Sequence, residues 1–424
     1  MRRYLATAVL ALAVLPTVAL AMVFTFLHPA PSGQDYLTDA LPHQVPGPVA
    51  NPALGVVVTD PVFGGHIHRI TATGTGGTDS QIYAENGWWN ADCTMFIQSH
   101  SIINPDTGAV IRSGIPVGLA AYMIQWSPVD PDVYYYVSGA NLMQYKVSTS
   151  TSSIVHTFPG TLTHLGGSFD WVDNSGNYFV VGWANNVTVY SKSENIVFSP
   201  NIPIADPSAL GEEISPDGHY IIYGANTRWD SYYLDLVNHT IGPAVRFDTI
   251  STGHHDTITA SDGKTYMISE DVNYGNPNFY AFDVTRVNPT PQQQITLNRL
   301  LLQVTWQDDM HTTCVSRGAH RDWCIIDTEN YHLNNQSLGN EIYWNEFVFV
   351  NALTGEIRRY AHTLSDMCSG NNNCYGNEAR PSACWDGSKI AFASSWGYDA
   401  KNTTAVIYPM ASTGNDLYVL VPNW

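Results

Sequence analysis

One turn-and-strand unit recurs seven times along this 424-residue chain, and that period restricts the fold more than any other feature. In order, Asp92-Cys93 precedes Thr-Met-Phe-Ile, Pro131-Asp132 precedes Val-Tyr-Tyr-Tyr-Val, and Ser175-Gly176 precedes Asn-Tyr-Phe-Val-Val. Asp217-Gly218, Asp262-Gly263 and Asp386-Gly387 each precede a similar apolar run, and His320-Arg321 before Asp-Trp-Cys-Ile-Ile is the most divergent copy. Counted from Cys93, the copies lie 39, 44, 42 and 45 residues apart, then 58 and 66. Asp-Gly pairs supply the positive φ that tight hairpins demand, and β-branched and aromatic runs are strand formers. A second hairpin half follows in each unit, as in residues 347–359. About four strands per ~42 residues is the signature of a propeller blade. The two long spacings read as insertions near 271–300 and 325–345.

The chain ends argue for ring closure. The last unit has strands at 383–394 and 417–421 and then stops, one strand short. Residues 56–70, with a strand–turn–Gly–strand pattern, are available to supply it. Closing first and last blades together removes open sheet edges. The expected fold is therefore all-β: one seven-bladed β-propeller over residues 54–424, closed by an N-terminal strand.

Before it, Arg2 and Arg3 lead an apolar run from Tyr4 to Leu27, with a small-x-small site at Ala19-Leu20-Ala21. Residues 1–27 read as a cleaved signal peptide or an uncleaved signal anchor, and both send the rest of the chain out of the cytosol. Residues 28–53, with six prolines, read as a tether. The expected location is secreted, or anchored to the outer face of a membrane whose only contact is through residues 4–27. Charged residues are only 13% of the chain, and the net charge is −19, from 18 Lys+Arg against 37 Asp+Glu. That balance argues against nucleic acid or anionic lipid as a partner. It leaves an extracellular glycan or protein.

Six cysteines fit an oxidising compartment. Cys314 and Cys324 are spaced as across a hairpin, and Cys368 and Cys374 flank a small loop. Cys93 and Cys384 fall in the first and last repeats, which adjoin in a closed ring. The first two pairs are expected to be disulfides, and Cys93–Cys384 is the pairing left for the third. Absence of CxxC spacing argues against zinc.

The motif Ser215-Pro-Asp-Gly and its variants resemble the WD40-like repeats of the TolB type. The segment 380–396, beginning Arg380-Pro-Ser-Ala-Cys-Trp, resembles the last blade of secreted bacterial propellers of unknown function. It is similar, more distantly, to oligogalacturonate lyases. That resemblance implies a polysaccharide lyase and a divalent-metal site built partly from histidines just before the Pro-Ser pair. Here Glu378 and Arg380 stand at those positions, so the chain departs from the family's pattern.

In a propeller the loops entering the innermost strands share one face beside the central channel. The residues at those entrances are Trp88 and Trp89, then His164, Glu212 and Glu213, His254, His255 and Asp256, Asp309 and His311, and Glu378 and Arg380. Such a mixture suits a polar pocket with aromatic walls. Imidazoles take protons near neutrality or bind metal, so a divalent cation is compatible with these side chains although no diagnostic motif specifies one. The competing reading makes each a polar group that staples neighbouring blades. No Gly-x-Ser-x-Gly elbow, phosphate loop or HExxH is present. The enzymatic reading is β-elimination, with His255 or His311 as base and Arg380 neutralising a uronate carboxylate. Trp88, Trp89, His164, Glu213, His254, Asp309 and Glu378 would then bind ligand. The alternative is a non-catalytic module of the cell envelope that binds protein or glycan through the same face.

Overall fold

The computed structural model describes residues 35–43, 51–72, 87–117, 124–164, 170–183, 185–203, 209–225, 228–248, 254–271, 278–287, 298–304, 310–328, 342–365, 378–394, 396 and 416–424. Seven antiparallel sheets follow one another in chain order. Blade one comprises Phe96–Gln98, Ser101–Ile103 and Val110–Ser113, with Trp89 bridged to Phe96 in the innermost position. Blade two runs outward from Ile124–Trp126, blade three from Leu162–His164, and blade four from Ala209–Ile214. Blade five contains His255–Thr259, Thr265–Asp271, Asn278–Asp283 and Arg299–Gln303. Blade six contains Thr312–Cys314, Trp323–Asp327, Glu346–Asn351 and Ile357–His362.

Blade seven closes the ring. Its inner three strands, Ser382–Ala383, Ile390–Ser394 and Asp416–Val421, come from the end of the chain. His66–Arg69 then pairs with Asp416–Val421, in register His66 with Val421, and Val57–Thr59 forms the outer edge. The N-terminal segment thus contributes two strands, one more than the count of missing strands required.

The repeated turns work as their sequence implies. In blade four Gly218 has φ +74° between the two inner strands, and the Ser215 hydroxyl accepts from the amides of His219 and Tyr220. Blade six lacks the Asp-Gly pair and turns instead through a short 3-10 segment, Gly318–His320, which explains why its repeat is hard to read. Close blade packing shows at Gly65, where a Cβ would lie 2.2 Å from the Tyr360 carbonyl oxygen of blade six.

Residues 35–43, within the stretch read as a tether, lie on the outer edge of blade six. Leu37 and Arg359 exchange backbone hydrogen bonds of 3.0 and 2.8 Å. The buried Arg359 guanidinium forks onto Glu346 (2.7 and 2.6 Å) and reaches Asp39 Oδ1 at 3.0 Å. Nε2 of the fully buried His43 lies 2.8 Å from the same Asp39 oxygen. A bidentate guanidinium–carboxylate pair is among the stronger polar contacts available to a side chain. Among the described residues no helix is long and apolar enough to cross a membrane. The apolar run 4–27 lies outside them.

Cys93 joins Cys384, linking blade one to blade seven with Cα atoms 5.8 Å apart. Cys314 joins Cys324, its register partner across the two inner strands of blade six. Cys368 and Cys374 lie outside the described residues. The first disulfide closes a loop of 291 residues and the second one of only 10. Chain entropy therefore favours the first, at roughly 5–6 kcal/mol against roughly 2–3 kcal/mol. Denaturant melts should show Cys93→Ser/Cys384→Ser costing more than Cys314→Ser/Cys324→Ser. The reverse order would mean that the ring is held by its sheets alone.

Candidate functional site

Every pair of neighbouring inner strands is joined by a hydrogen bond at the channel wall. Trp89 Nε1 of blade one donates to the Ser382 carbonyl of blade seven (2.9 Å), and Trp385 Nε1 donates back to Trp89 O (2.8 Å). Trp126 N bonds Gly87 O (3.2 Å). Gln125 spans blades two and three, accepting from Trp171 N (2.8 Å) and donating to Asp170 Oδ1 (2.5 Å). Ile214 N bonds Asp170 O (3.0 Å), and the Thr257 hydroxyl donates to Glu213. Cys314 N donates to Asp256 Oδ2 (2.5 Å), and Ala383 N to Thr313 Oγ1 (3.2 Å). Asp256, Glu213 and Trp89 are thus blade staples. Trp88 and Trp89 are only 3% and 1% exposed and sit in an apolar cluster. The structure therefore places in the core the two indoles that the sequence reading put at the rim.

The channel is crossed at the end where the inner strands leave. Arg317 of blade six donates to Ala91 O of blade one (2.6 Å) and to Pro128 O of blade two, with its guanidinium 5.0 Å over the Trp385 ring. Asn174 of blade three donates to Ser316 O (2.8 Å). A cavity of about 20 Å³, close to one water, remains above this plug, lined by Trp89, Asp170, Asp256 and Trp385 among others.

At the opposite end, blades five, six and seven bring together a second group. The His254 and His311 rings pack with centres 4.0 Å apart and planes tilted by 31°, and His254 Nδ1 lies 3.1 Å from Met310 O. His311 sits between two carboxylates: Nδ1 is 3.6 Å from Asp327 Oδ2 and Nε2 is 3.5 Å from Glu378 Oε2. The Arg380 guanidinium forks onto Glu378, with Nε at 2.8 Å, and Arg380 N donates to Asp327 Oδ2 (2.9 Å). His311, Asp327 and Glu378 are at most 1% exposed and Arg380 is 5% exposed, whereas His254 is half-buried and forms the outer end of the group. Arg380 has φ +44° immediately before Pro381, a left-handed conformation that such a residue adopts only when its surroundings hold it.

A histidine of blade five does lie against His311, and it is His254, 57 residues earlier in the chain. Successive side chains alternate across a strand, so His255 points to the other side. There its Nε2 lies 3.7 Å from Glu213 Oε1, and its ring lies 4.0 Å from that of Trp229 in blade four. His255 and Glu213 therefore belong to the blade four–five interface, apart from the His311 group. His164 ends the strand Leu162–His164 of blade three. Its side chain and Asp309 lie outside what the structure describes. Asp327 was missed in the sequence. Its signal was a carboxylate ending the apolar run of a second strand.

Two carboxyls here are displaced upward. Burial pushes Glu212 up to about 7, and it pushes Asp256 up to about 7 against two backbone N–H donors. A carboxyl raised in the folded state stabilises the fold below its unfolded value, and that contribution is lost as pH rises toward 7. Glu212→Gln removes its share. The variant should therefore gain on the parent by about 2–3 kcal/mol between pH 4 and pH 8 in equilibrium melts. Parallel pH profiles would show that Glu212 titrates normally.

No protein-family model matches the chain, and no curated protein matches it. An oligogalacturonate lyase from Vibrio parahaemolyticus is similar in structure, with a TM-score of 0.55 and 10% identity over 86% of this chain and 96% of that one. An oligogalacturonate lyase in complex with manganese has a TM-score of 0.51 and 13% identity, over 91% of this chain and 99% of that one. The likeness is one of fold. A TolB from Acinetobacter baumannii, at 14% identity and a TM-score of 0.33, carries no argument.

The His311 group does not fit a divalent metal as it stands. The carboxylate of Glu378 that faces His311 already holds the Arg380 guanidinium on the same oxygen. Among the described residues, the one three-residue set with metal-ligand spacing is Cys93, Cys384 and Asp386, and its cysteines are joined in a disulfide.

Proposed function

We propose that this propeller binds an acidic polysaccharide at the His254–His311 mouth of its channel and cleaves it by β-elimination. The observation that carries the reading is the chain Asp327–His311–Glu378–Arg380, held by an arginine in a strained backbone conformation. Buried charges in so charge-poor a protein are costly unless paired, and their concentration at one channel mouth favours a use beyond stapling. The fold shared with oligogalacturonate lyases agrees with this reading at the level of architecture.

The chemistry follows from the residues. The substrate's uronate carboxylate exchanges with Glu378 on the Arg380 guanidinium, which draws charge from the acidified C5–H bond. His311 Nε2 takes that proton. The electron pair forms the C4–C5 double bond, the C4–O bond breaks, and the leaving oxygen takes a proton from solvent. Glu378 and Asp327 then flank the imidazolium and stabilise it. Arginine supplies the neutralising charge in this scheme, so turnover should survive exhaustive chelation. The two disulfides support a location outside the cytosol.

Complete burial of His311 favours a second reading, in which the same mouth binds glycan or protein without cleaving it. Ultraviolet absorbance of unsaturated products from uronate polymers separates the two. His311→Ala and Arg380→Ala should each lower turnover by about 10²–10⁴-fold, whereas His255→Ala should act mainly through stability. Binding without any unsaturated product would establish the non-catalytic module, and a lack of both would remove the site.

A further inference from the structure

On the opposite face, where the inner hairpins turn, blades five and six enclose a lateral cleft of about 360 Å³. That volume lies within the range of small-molecule sites. The cleft lies beyond the inner-strand turn at Asp262-Gly263, seven residues past His255 and so roughly 20 Å from it along an extended strand. Its walls carry Lys264, Arg286 and Arg299 against Asp262 and Asp283, a local excess of one positive charge. The whole chain has only 18 Lys+Arg and a net charge of −19, so three cations in one cleft run against its composition.

The acidic groups are already engaged. Asp283 accepts from Thr285 N (3.0 Å), Thr285 Oγ1 (2.6 Å) and Lys264 Nζ (3.3 Å), and Asp262 Oδ2 accepts from the Tyr266 hydroxyl (2.8 Å). Arg286 spends one nitrogen on Asn298 (2.7 Å). Arg299, opposite Ala281 in register, is exposed, and its side chain makes no hydrogen bond or ion pair among the described residues. The floor between these cations is the Tyr266 side chain with Ala281 and Leu353. Guanidinium groups match a carboxylate bidentately, a phenol ring offers a flat apolar face to a sugar ring, and carboxylate oxygens accept from hydroxyls.

From this juxtaposition we infer that the blade five–six cleft is a binding site for an acidic sugar, a uronate monosaccharide or chain end, with its carboxylate on Arg299 and Arg286 and its ring on Tyr266. The site is independent of the channel, and the inference does not rest on the activity proposed there.

Calorimetric titration of the full chain at low ionic strength tests it, with glucuronate as probe and glucose and inorganic phosphate as controls. Glucuronate should bind saturably, and glucose should not. Measured in an Arg380→Ala background, which removes the carboxylate site proposed at the channel mouth, Arg299→Ala and Arg286→Ala should each weaken binding about tenfold, and Arg299→Glu should abolish it. Thermal melts check that each variant folds. Undetectable glucuronate binding, loss of binding in Arg380→Ala alone, or indifference to Arg299→Glu would overturn the inference. So would phosphate binding as tightly as glucuronate, which would reduce the cleft to a general anion patch.

Discussion

The ring of hydrogen bonds between neighbouring inner strands is the constraint on which the rest depends. Seven twisted sheets meet at an axis where side chains are crowded and water is nearly excluded, so each inner strand must hand polar groups to the next. Gln125, Glu213, Asp256, Thr313 and Trp89 do this with different chemistry from the inner strands of five blades. Closure between blades seven and one carries the added covalent link Cys93–Cys384 and the two N-terminal strands. A polar residue near the axis is therefore structural unless its geometry argues otherwise.

His311 and its partners stand out against that rule. Each staple joins two neighbouring blades, whereas the His311 group is a chain of ionisable side chains from three blades. One mouth of the channel is spanned by Arg317 and Asn174. The His254 end is thus the approach the described residues leave to the His311 group.

The outer rim shows a second use of buried charge. Arg359 between Glu346 and Asp39 fixes residues 35–43 to blade six. The Asp60 carboxylate, 2.9 Å from His362 Nδ1, ties the turn of the closing hairpin to the same strand. Burial depresses the pKa of His43 and favours its neutral imidazole, whereas at Asp60 burial is outweighed by the contact with His362, which holds the carboxyl below its ordinary value and ionised. Blade six consequently anchors both the leading segment and the closing strands.

Much of the architecture was legible in the chain. Repeated Asp-Gly turns and alternating strands are local, and a period near 42 residues translates directly into blades. The last repeat was visibly short, so its completion by residues 56–70 followed, and so did the adjacency of Cys93 and Cys384. The entrances to the inner strands were also legible as a class, because chain order alone puts them on one face. What the sequence did not decide is which way each side chain points and what it meets. His254 and His255 are neighbours in sequence, yet strand alternation sends one to His311 and the other to Glu213 and Trp229. Trp88 and Trp89 looked like rim aromatics and are core, because blade one packs them against blade seven. Asp327, Arg317 and the blade five–six cleft gain meaning only from residues tens of positions away. Local propensity fixed the blades, whereas packing around a common axis decided which polar groups are staples and which form a site.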